Sequence, residues 1–288
     1  MRKFLSALCM SIVLFSCEKE TLNNTPQTSA ATAAEGDNTF TATQKIKLIK
    51  TWSVYAYVYS GLYNKQRNFY AEVAKSAYPR QVFVHHKMAD GTWQDFPMKY
   101  MRPATSTYDV WYLEDAYSGN GGSSSHQDYA DEFVLRYEVN GKTYYDNNNG
   151  QNYKIGLCDG MYLRDGLPVT AETFHSYLVK YSTATYASFY IEADVKNLAY
   201  SKEVKVIYST DNWQTTNTAP LNFITHYALS DFVVLPNPNI FNNEKWSVYL
   251  NLPGNAKYVD YAISYKVNGT EYWDNNYGRN YRIKVENR

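Results

Sequence analysis

The stretch from Val139 to Tyr153 returns from Val267 to Tyr281, 128 residues further on. Each copy opens on Asn-Gly (Asn140-Gly141, Asn268-Gly269). It then passes through Tyr144-Tyr145-Asp146-Asn147-Asn148 or Tyr272-Trp273-Asp274-Asn275-Asn276, and closes on Asn152-Tyr153 or Asn280-Tyr281. A repeat of this length constrains the fold before any other feature, because each copy has to be a structural unit of its own. Upstream, Phe69-Tyr70-Ala71-Glu72 matches Phe189-Tyr190-Ile191-Glu192, and Trp93-Gln94 matches Trp213-Gln214, both at a shift of 120. The two shifts differ because a loop between the anchors has changed length. In a chain of 288 residues this places units at 46–156 and 175–288, with 157–174 as a linker.

Each unit reads as all-β. Phe133, Leu135, Tyr137 and Val139 alternate with Val134, Arg136 and Glu138, and Tyr261, Ile263, Tyr265 and Val267 alternate with Ala262, Ser264 and Lys266. That is the period of a strand with one face buried. Asn-Gly follows at once in both copies, and a type I′ hairpin turn needs positive φ at both of its central residues. Several short strands within about 110 residues predict two consecutive antiparallel β-sandwich modules of the immunoglobulin-like kind.

The turn also sorts the aromatic pair that follows it. A two-residue loop sets Val139 opposite Lys142, Tyr137 opposite Tyr144 and Arg136 opposite Tyr145, and directly opposed residues share a face. Tyr144 is therefore expected in the core and Tyr145 on the outside, as are Tyr272 and Trp273 in the second copy. An aromatic ring on the polar face of both copies calls for a reason beyond packing.

Composition points the same way. The chain has 30 tyrosines, more than a core can supply with hydroxyl partners, so many of these rings belong at surfaces. Lys plus Arg equals Asp plus Glu at 28 each, which removes the positive field that nucleic-acid backbones require.

The start reads as a targeting segment: Arg2 and Lys3 precede an apolar run from Phe4 to Phe15 that is too short to span a bilayer as a helix. Leu14-Phe15-Ser16-Cys17 resembles the lipobox of bacterial lipoproteins, which implies a leader over 1–17 and lipidation of Cys17. Phe15 departs from the small residue usual at that place. Residues 18–45, rich in Thr, Asn, Ser and Ala, are expected to be a flexible stalk. Cys9 would leave with the leader and Cys17 would be acylated, so Cys158 stands alone and is expected in a linker or core role. Cys17-Glu18-Lys19-Glu20 resembles the signals of surface-exported lipoproteins, which implies an outer-membrane, cell-surface location.

Three separated blocks carry a wider resemblance: Val195 to Tyr208 with its Lys196-Asn197 and Tyr200, then Asp211-Asn212-Trp213, then Tyr272 to Tyr281. In this order they resemble the family 21 carbohydrate-binding modules, found as starch-binding domains of fungal glucoamylases and in glycogen-targeting subunits of protein phosphatase 1. The first unit matches at Tyr78, at Thr92-Trp93 and from Tyr144 to Tyr153, and lacks the Lys-Asn pair. The resemblance implies an eight-stranded sandwich and a main α-glucan site at Trp93, Tyr145, Asn147 and Asn152, repeated at Trp213, Trp273, Asn275 and Asn280. It also implies a secondary carbohydrate site at Tyr78, Tyr100 and Tyr108, with Tyr200 in the second unit. The chemistry suits these side chains: sugar C–H faces stack on aromatic planes, and amides both donate to and accept from hydroxyls. Val134 and Ala262 stand where starch-binding relatives carry a further aromatic, a loss that tandem sites offset through avidity.

Other readings fare worse. Glycoside hydrolysis requires a pair of carboxyl groups flanking the bond, and the recurring Asp146/Asp274 sits in a turn where Asp caps backbone. Asp146 to Gly150 misses calcium-loop spacing, with Gly fifth rather than sixth, and His85-His86 would point to opposite faces of a strand. No catalytic residue, metal or cofactor is therefore expected. A protein-interaction scaffold like the phosphatase-targeting subunits, or an adhesin for another polysaccharide, stays as the alternative. By analogy with starch-utilisation systems, the expected partners are an α-glucan, the membrane through the lipid anchor, and a glucan-degrading enzyme or transporter.

Overall fold

The computed structural model describes residues 44–59, 62–76, 78–120, 129–156, 158–230 and 233–288. The expected leader with Cys17, and the expected stalk up to residue 43, lie outside the described residues.

The first half is built from β1 (Ile46–Tyr59), β2 (Leu62–Ala74), β3 (Arg80–Met88), β4 (Trp93–Pro97), β5 (Lys99–Pro103), β6 (Tyr108–Asn120), β7 (Tyr129–Val139), β8 (Lys142–Asp146), β9 (Tyr153–Lys154) and β10 (Tyr162–Leu163). One sheet runs β10-β1-β2-β6-β5, and the facing sheet runs β4-β3-β7-β8 with β9 also on β7. Phe69, Ala71 and Val73 from β2 meet Val82 and Val84 from β3 and Phe133, Leu135 and Tyr137 from β7 in one buried cluster. These are the alternate positions that the sequence period marks.

The second half repeats the plan with β11 (Val169–Lys180), β12 (Tyr186–Lys196), β13 (Lys202–Ser209), β14 (Asn217–Pro220), β15 (Asn222–Phe223), β16 (His226–Ser230), β17 (Val233–Pro236), β18 (Asn243–Pro253), β19 (Tyr258–Val267), β20 (Thr270–Asp274), β21 (Tyr281–Lys284) and β22 (Glu286–Asn287). Its sheets run β15-β18-β12-β11-β22 and β14-β13-β19-β20 with β21 on β19, while β16 and β17 pair as a hairpin. Phe189, Ile191, Ala193, Val204, Val206, Tyr261, Ile263 and Tyr265 fill its core. The protein is all-β, as the alternation predicts.

The hairpin register is the expected one in both halves. Arg136 lies opposite Tyr145 and Tyr137 opposite Tyr144, and Ser264 lies opposite Trp273 and Tyr265 opposite Tyr272. Asn140 and Gly141 take φ of 51° and 68°, and Asn268 and Gly269 take 50° and 77°, as a type I′ turn demands. Tyr144 and Tyr272 pack on the two cores, whereas Tyr145 is 54% exposed.

Asp146 does more than cap its turn. It is buried, and its Oδ2 accepts from the Leu48 backbone N–H at 2.7 Å and from the Tyr153 hydroxyl at 2.9 Å. Asp274 repeats this with the Ala171 N–H at 2.7 Å and the Tyr281 hydroxyl at 2.9 Å. Each carboxylate thus ties the end of one sheet to the first strand of the other, just before the Asn-rich loop.

Within the expected linker 157–174, the described residues 158–174 pair and pack with both halves. β10 pairs with β1, setting Leu163 opposite Lys50 and Tyr162 opposite Thr51, and β11 begins at Val169. The reason is apolar content: Met161 and Leu163 bury against Trp52, with Cys158 beside them, and Val169 and Ala171 enter the second core. Cross-links follow from this. The Lys50 ammonium donates to Thr170 Oγ1 at 2.9 Å and Ala171 O at 3.0 Å, and Arg164 donates to the buried Glu72 carboxylate at 2.6 Å.

Candidate functional site

The outward face of β4-β3-β7-β8 carries a groove of about 330 Å³ lined by His85, Trp93, Val134, Tyr145, Asn147 and Asn152. Four of these are the residues implied for the main site of the first copy. Strand period brings them together: on β3, His85 faces out while its neighbours Val84 and His86 are buried. His85 lies opposite Asp95 on β4 and opposite Val134 on β7, and Trp93 opens β4 facing Lys87.

Two aromatic elements wall the groove. The Trp93 and His85 rings stack, with centroids 5.1 Å apart and planes 16° from parallel, and Tyr145 contributes its exposed ring from β8. Polar groups come from the loop that follows β8. Asn148, Asn149 and Asn152 all take positive φ, between 52° and 55°, a region that Asn tolerates better than most residues. The Asn152 N–H donates to Asn147 O at 2.8 Å, and the Gly150 N–H donates to Asn147 Oδ1 at 3.1 Å. The loop is therefore closed on itself, with the Asn147 amide NH₂ left for solvent or a ligand. Asn152 Nδ2 donates to Glu132 Oε1 at 2.7 Å, and Lys87 Nζ bonds the other carboxylate oxygen at 3.0 Å. Asn152 and Lys87 together hold Glu132 below the usual carboxylate range.

Asp95, Arg136 and Glu138 beside the groove are tied to one another. His85 Nδ1 bonds Asp95 Oδ1 at 2.7 Å, Arg136 Nη2 donates to Asp95 Oδ2 at 2.6 Å, and Arg136 Nη1 donates to Glu138 at 2.8 Å. An aromatic-walled groove with amide groups and these charges compensated suits a neutral, hydroxyl-rich ligand with apolar faces.

The second half holds the repeated residues in a changed setting. Trp273 faces out on β20, and Asn275 and Asn280 close the following loop, with the Asn280 N–H on Asn275 O at 2.7 Å and the Gly278 N–H on Asn275 Oδ1 at 2.8 Å. Trp213 lies not on a strand but in the turn after β13, at φ 66°, with its N–H on Ser209 Oγ at 2.9 Å. Asp211 braces that turn by accepting from Thr215 and Ser209, bonds that lower its pKa. Arg282 then ties the turn to β19: it bonds Asp260 through two contacts of 2.6 Å and donates to Asn212 Oδ1 at 2.9 Å. Ile207 lies opposite Ala262 here, the pairing that His85 and Val134 make in the first half.

The family model for carbohydrate/starch-binding modules of family 21 matches residues 70–156 and 185–284. The chain belongs to this family. Similar proteins include protein phosphatase 1 regulatory subunit 3B of Rattus norvegicus, 32% identical over 93 residues, which are 31% of this chain and 29% of that protein. Regulatory subunit 3E of Mus musculus is 31% identical over 91 residues, covering 32% of this chain and 29% of its own length. The family 21 chain thus spans under a third of the length of these relatives. Among solved structures, the starch-binding domain of Rhizopus oryzae glucoamylase, in complex with beta-cyclodextrin and maltoheptaose, is 24% identical. It covers 41% of this chain and 98% of that one, with a TM-score of 0.29. The carbohydrate-binding module of the muscle glycogen-targeting subunit of Protein Phosphatase-1 is also 24% identical, covering 41% and 75%, with a TM-score of 0.30.

Two of the tyrosines named for a secondary site in this family 21 chain, Tyr78 and Tyr100, are linked through Arg80 and Trp111. Arg80 joins Tyr78 and Trp111, its guanidinium lying 4.5 Å from one ring centroid and 5.6 Å from the other, and Tyr100 packs edge-on to Trp111 at 6.2 Å. Tyr78 stays 73% exposed. Tyr108 is half-buried and packs on the cluster of Ile49, Ala104 and Val110, which Tyr277 from the second half also packs against. Tyr200 is fully exposed.

Sequence reasoning passed over His85 as an ordinary strand position, although alternation already put it on the outward face. The trio Glu172, His175 and Glu192 also brings ligand-type atoms within 4.8 Å of one another. Lys245 already supplies a cation there, bonding Glu192 at 3.2 Å and Asp194 at 3.1 Å.

Proposed function

We propose that this chain binds α-glucan of the starch or glycogen type without catalysis, through two sites, one on each sandwich. The observation that carries this reading is the first groove, where the Trp93–His85 stack and Tyr145 frame the Asn147 and Asn152 amides. A glucose ring would stack its C–H face on these aromatics and exchange hydrogen bonds with the amides. Trp213, Trp273, Asn275 and Asn280 serve the second site, and Tyr78, Tyr100 and Tyr108, with Tyr200 in the second sandwich, offer a secondary contact. Tandem modules at 46–156 and 175–288 let a second contact follow the first intramolecularly, raising avidity by ~10²–10⁴ where geometry permits both. Under this reading Cys17 is lipidated, a stalk over 18–45 holds the modules off an outer membrane, and the captured glucan passes to a neighbouring transporter or degrading enzyme.

The test is co-sedimentation with insoluble starch and titration with soluble glycogen, comparing wild type with Trp93→Ala/Tyr145→Ala and Trp213→Ala/Trp273→Ala. Binding that falls in steps as each pair is removed supports two sites. A folded wild type that ignores both polymers overturns the reading. The regulatory-subunit similarity favours a second reading, in which glucan binding serves to target a partner protein. Retention of a second protein on glycogen only in the presence of this chain would distinguish it.

A further inference from the structure

We infer that His85 contacts the bound sugar in the first groove, its Nε2 accepting a hydrogen bond from a sugar hydroxyl beside the Trp93 ring. This rests on the glucan reading above and adds to it a residue and a chemical direction.

The argument starts from the ring's two nitrogens. Nδ1 lies 2.7 Å from Asp95 Oδ1, and a carboxylate can only accept, so Nδ1 carries the proton and donates. Asp95 is itself fixed by Arg136 at 2.6 Å, which sets the acceptor in place from the far side. With Nδ1–H committed, the imidazole in its neutral form presents a lone pair on Nε2. Nε2 has no partner among the described residues, and His85 lines the groove.

Ring orientation supports the same role. Lying within 16° of parallel to Trp93 with ring centroids 5.1 Å apart, the imidazole is braced against the indole, which fixes its orientation in the groove. Val134, directly opposite His85 on β7, is too small to cover it. The imidazole thus stands beside the place where relatives were expected to carry a further aromatic, and it brings a hydrogen-bonding edge with it.

The second half makes the contrast. Ile207 replaces His85, and its partner on the edge strand is Thr218 where Asp95 stands in the first half. Histidine and aspartate are lost together, so the second sheet lacks this acceptor beside its own Trp273 and Asn275. The two sites therefore differ in chemistry: the first selects for a hydroxyl at one position of the sugar, and the second does not.

The experiment is calorimetric titration of the full chain with maltoheptaose, in a Trp273→Ala/Asn275→Ala background that leaves the first groove alone. His85→Ile, which installs the residue the second sheet already accommodates, is expected to weaken binding about tenfold. His85→Phe keeps a ring and loses the nitrogen, so it should recover only part of that loss. Nitrogen-15 spectra of the parent should show the Nε2 resonance moving on saturation with maltoheptaose. Binding by His85→Ile within twofold of the parent, or a stationary Nε2 resonance, overturns the inference while leaving glucan binding intact. A parent that fails to bind while the wild type still binds overturns the inference as well, and a wild type that binds none of maltoheptaose, starch and glycogen overturns the glucan reading itself.

Discussion

The hydroxyl of Tyr277, in the second sandwich, donates to the carboxylate of Glu72, in the first, across 205 residues of sequence. The same carboxylate accepts from Arg164, and Tyr277 packs with Ile49, Ala104 and Val110 while the Arg102 guanidinium lies 5.2 Å over its ring. Two residues on, Arg279 donates to the carbonyls of Pro103 and Ala104, each at 3.0 Å. The loop that closes the second site is thereby docked on the first sandwich, and Tyr277 holds a positive φ of 58° there, a conformation that bulky residues seldom adopt.

Replacing Tyr277 with Asn, the residue at the matching place in the first copy (Asn149), should uncouple the sandwiches. The expected cost is about 2–4 kcal/mol from lost burial and a buried carboxylate short of one donor. Denaturation monitored by tryptophan fluorescence should change from one transition to two. A single unchanged transition would mean that the docking contributes little.

The groove makes a second prediction. Tyr145 is exposed and Trp93 lies at the start of an edge strand, so Trp93→Ala and Tyr145→Ala should each shift the melting temperature by only a few degrees. Each should weaken maltoheptaose binding at the first site by roughly 1–2 kcal/mol, five- to thirtyfold, as loss of a central aromatic anchor does. Parallel melting and titration of the same samples would separate the two effects.

Asp146→Ala and Asp274→Ala should behave in the opposite way, costing about 2–3 kcal/mol of stability each, because a backbone N–H and a tyrosine hydroxyl lose a charged acceptor. Thermal melts check this directly. Equal damage from an exposed Asp such as Asp165 would argue that the two carboxylates are not special.

His86 gives a pH dependence whose sign follows from its burial. Burial lowers its pKa from 6.5 to about 4, against the Lys87 carbonyl that accepts from Nδ1 at 3.0 Å. Between those values the unfolded chain takes up a proton that the folded chain refuses. The stabilisation is therefore full above pH 6.5 and is lost as pH falls through the window to 4, by up to ~3 kcal/mol. His86→Phe, placed against Phe69 and Phe133, should flatten this part of the stability profile in urea titrations at stepped pH.

Local rules made much of this molecule legible. The alternation around Tyr137 and Tyr265, the Asn-Gly turns and the sorting of Tyr144 from Tyr145 each depend on neighbours within a few residues, and each was readable before the fold was known. What escaped depends on packing between distant segments. Residues 157–174 read as linker because they fall between the two copies of the repeat, yet Met161 and Leu163 pack with Trp52, and Val169 and Ala171 enter the second core. His85 was visible on the outward face, but only the Trp93 ring and the Asp95 carboxylate give that face a purpose.

The Asn-Gly turn has one more consequence, which concerns parity. Side chains in a strand alternate with a period of two, so a single residue inserted between Val139 and Tyr145 would turn Tyr145 into the core and Tyr144 out to solvent. Length in this hairpin is therefore locked in a way that length in the surrounding loops is not. The two copies bear the mark of it: their offset drifts by eight residues between Trp93 and the hairpin, then holds at 128 from Val139 through Tyr153 without a gap.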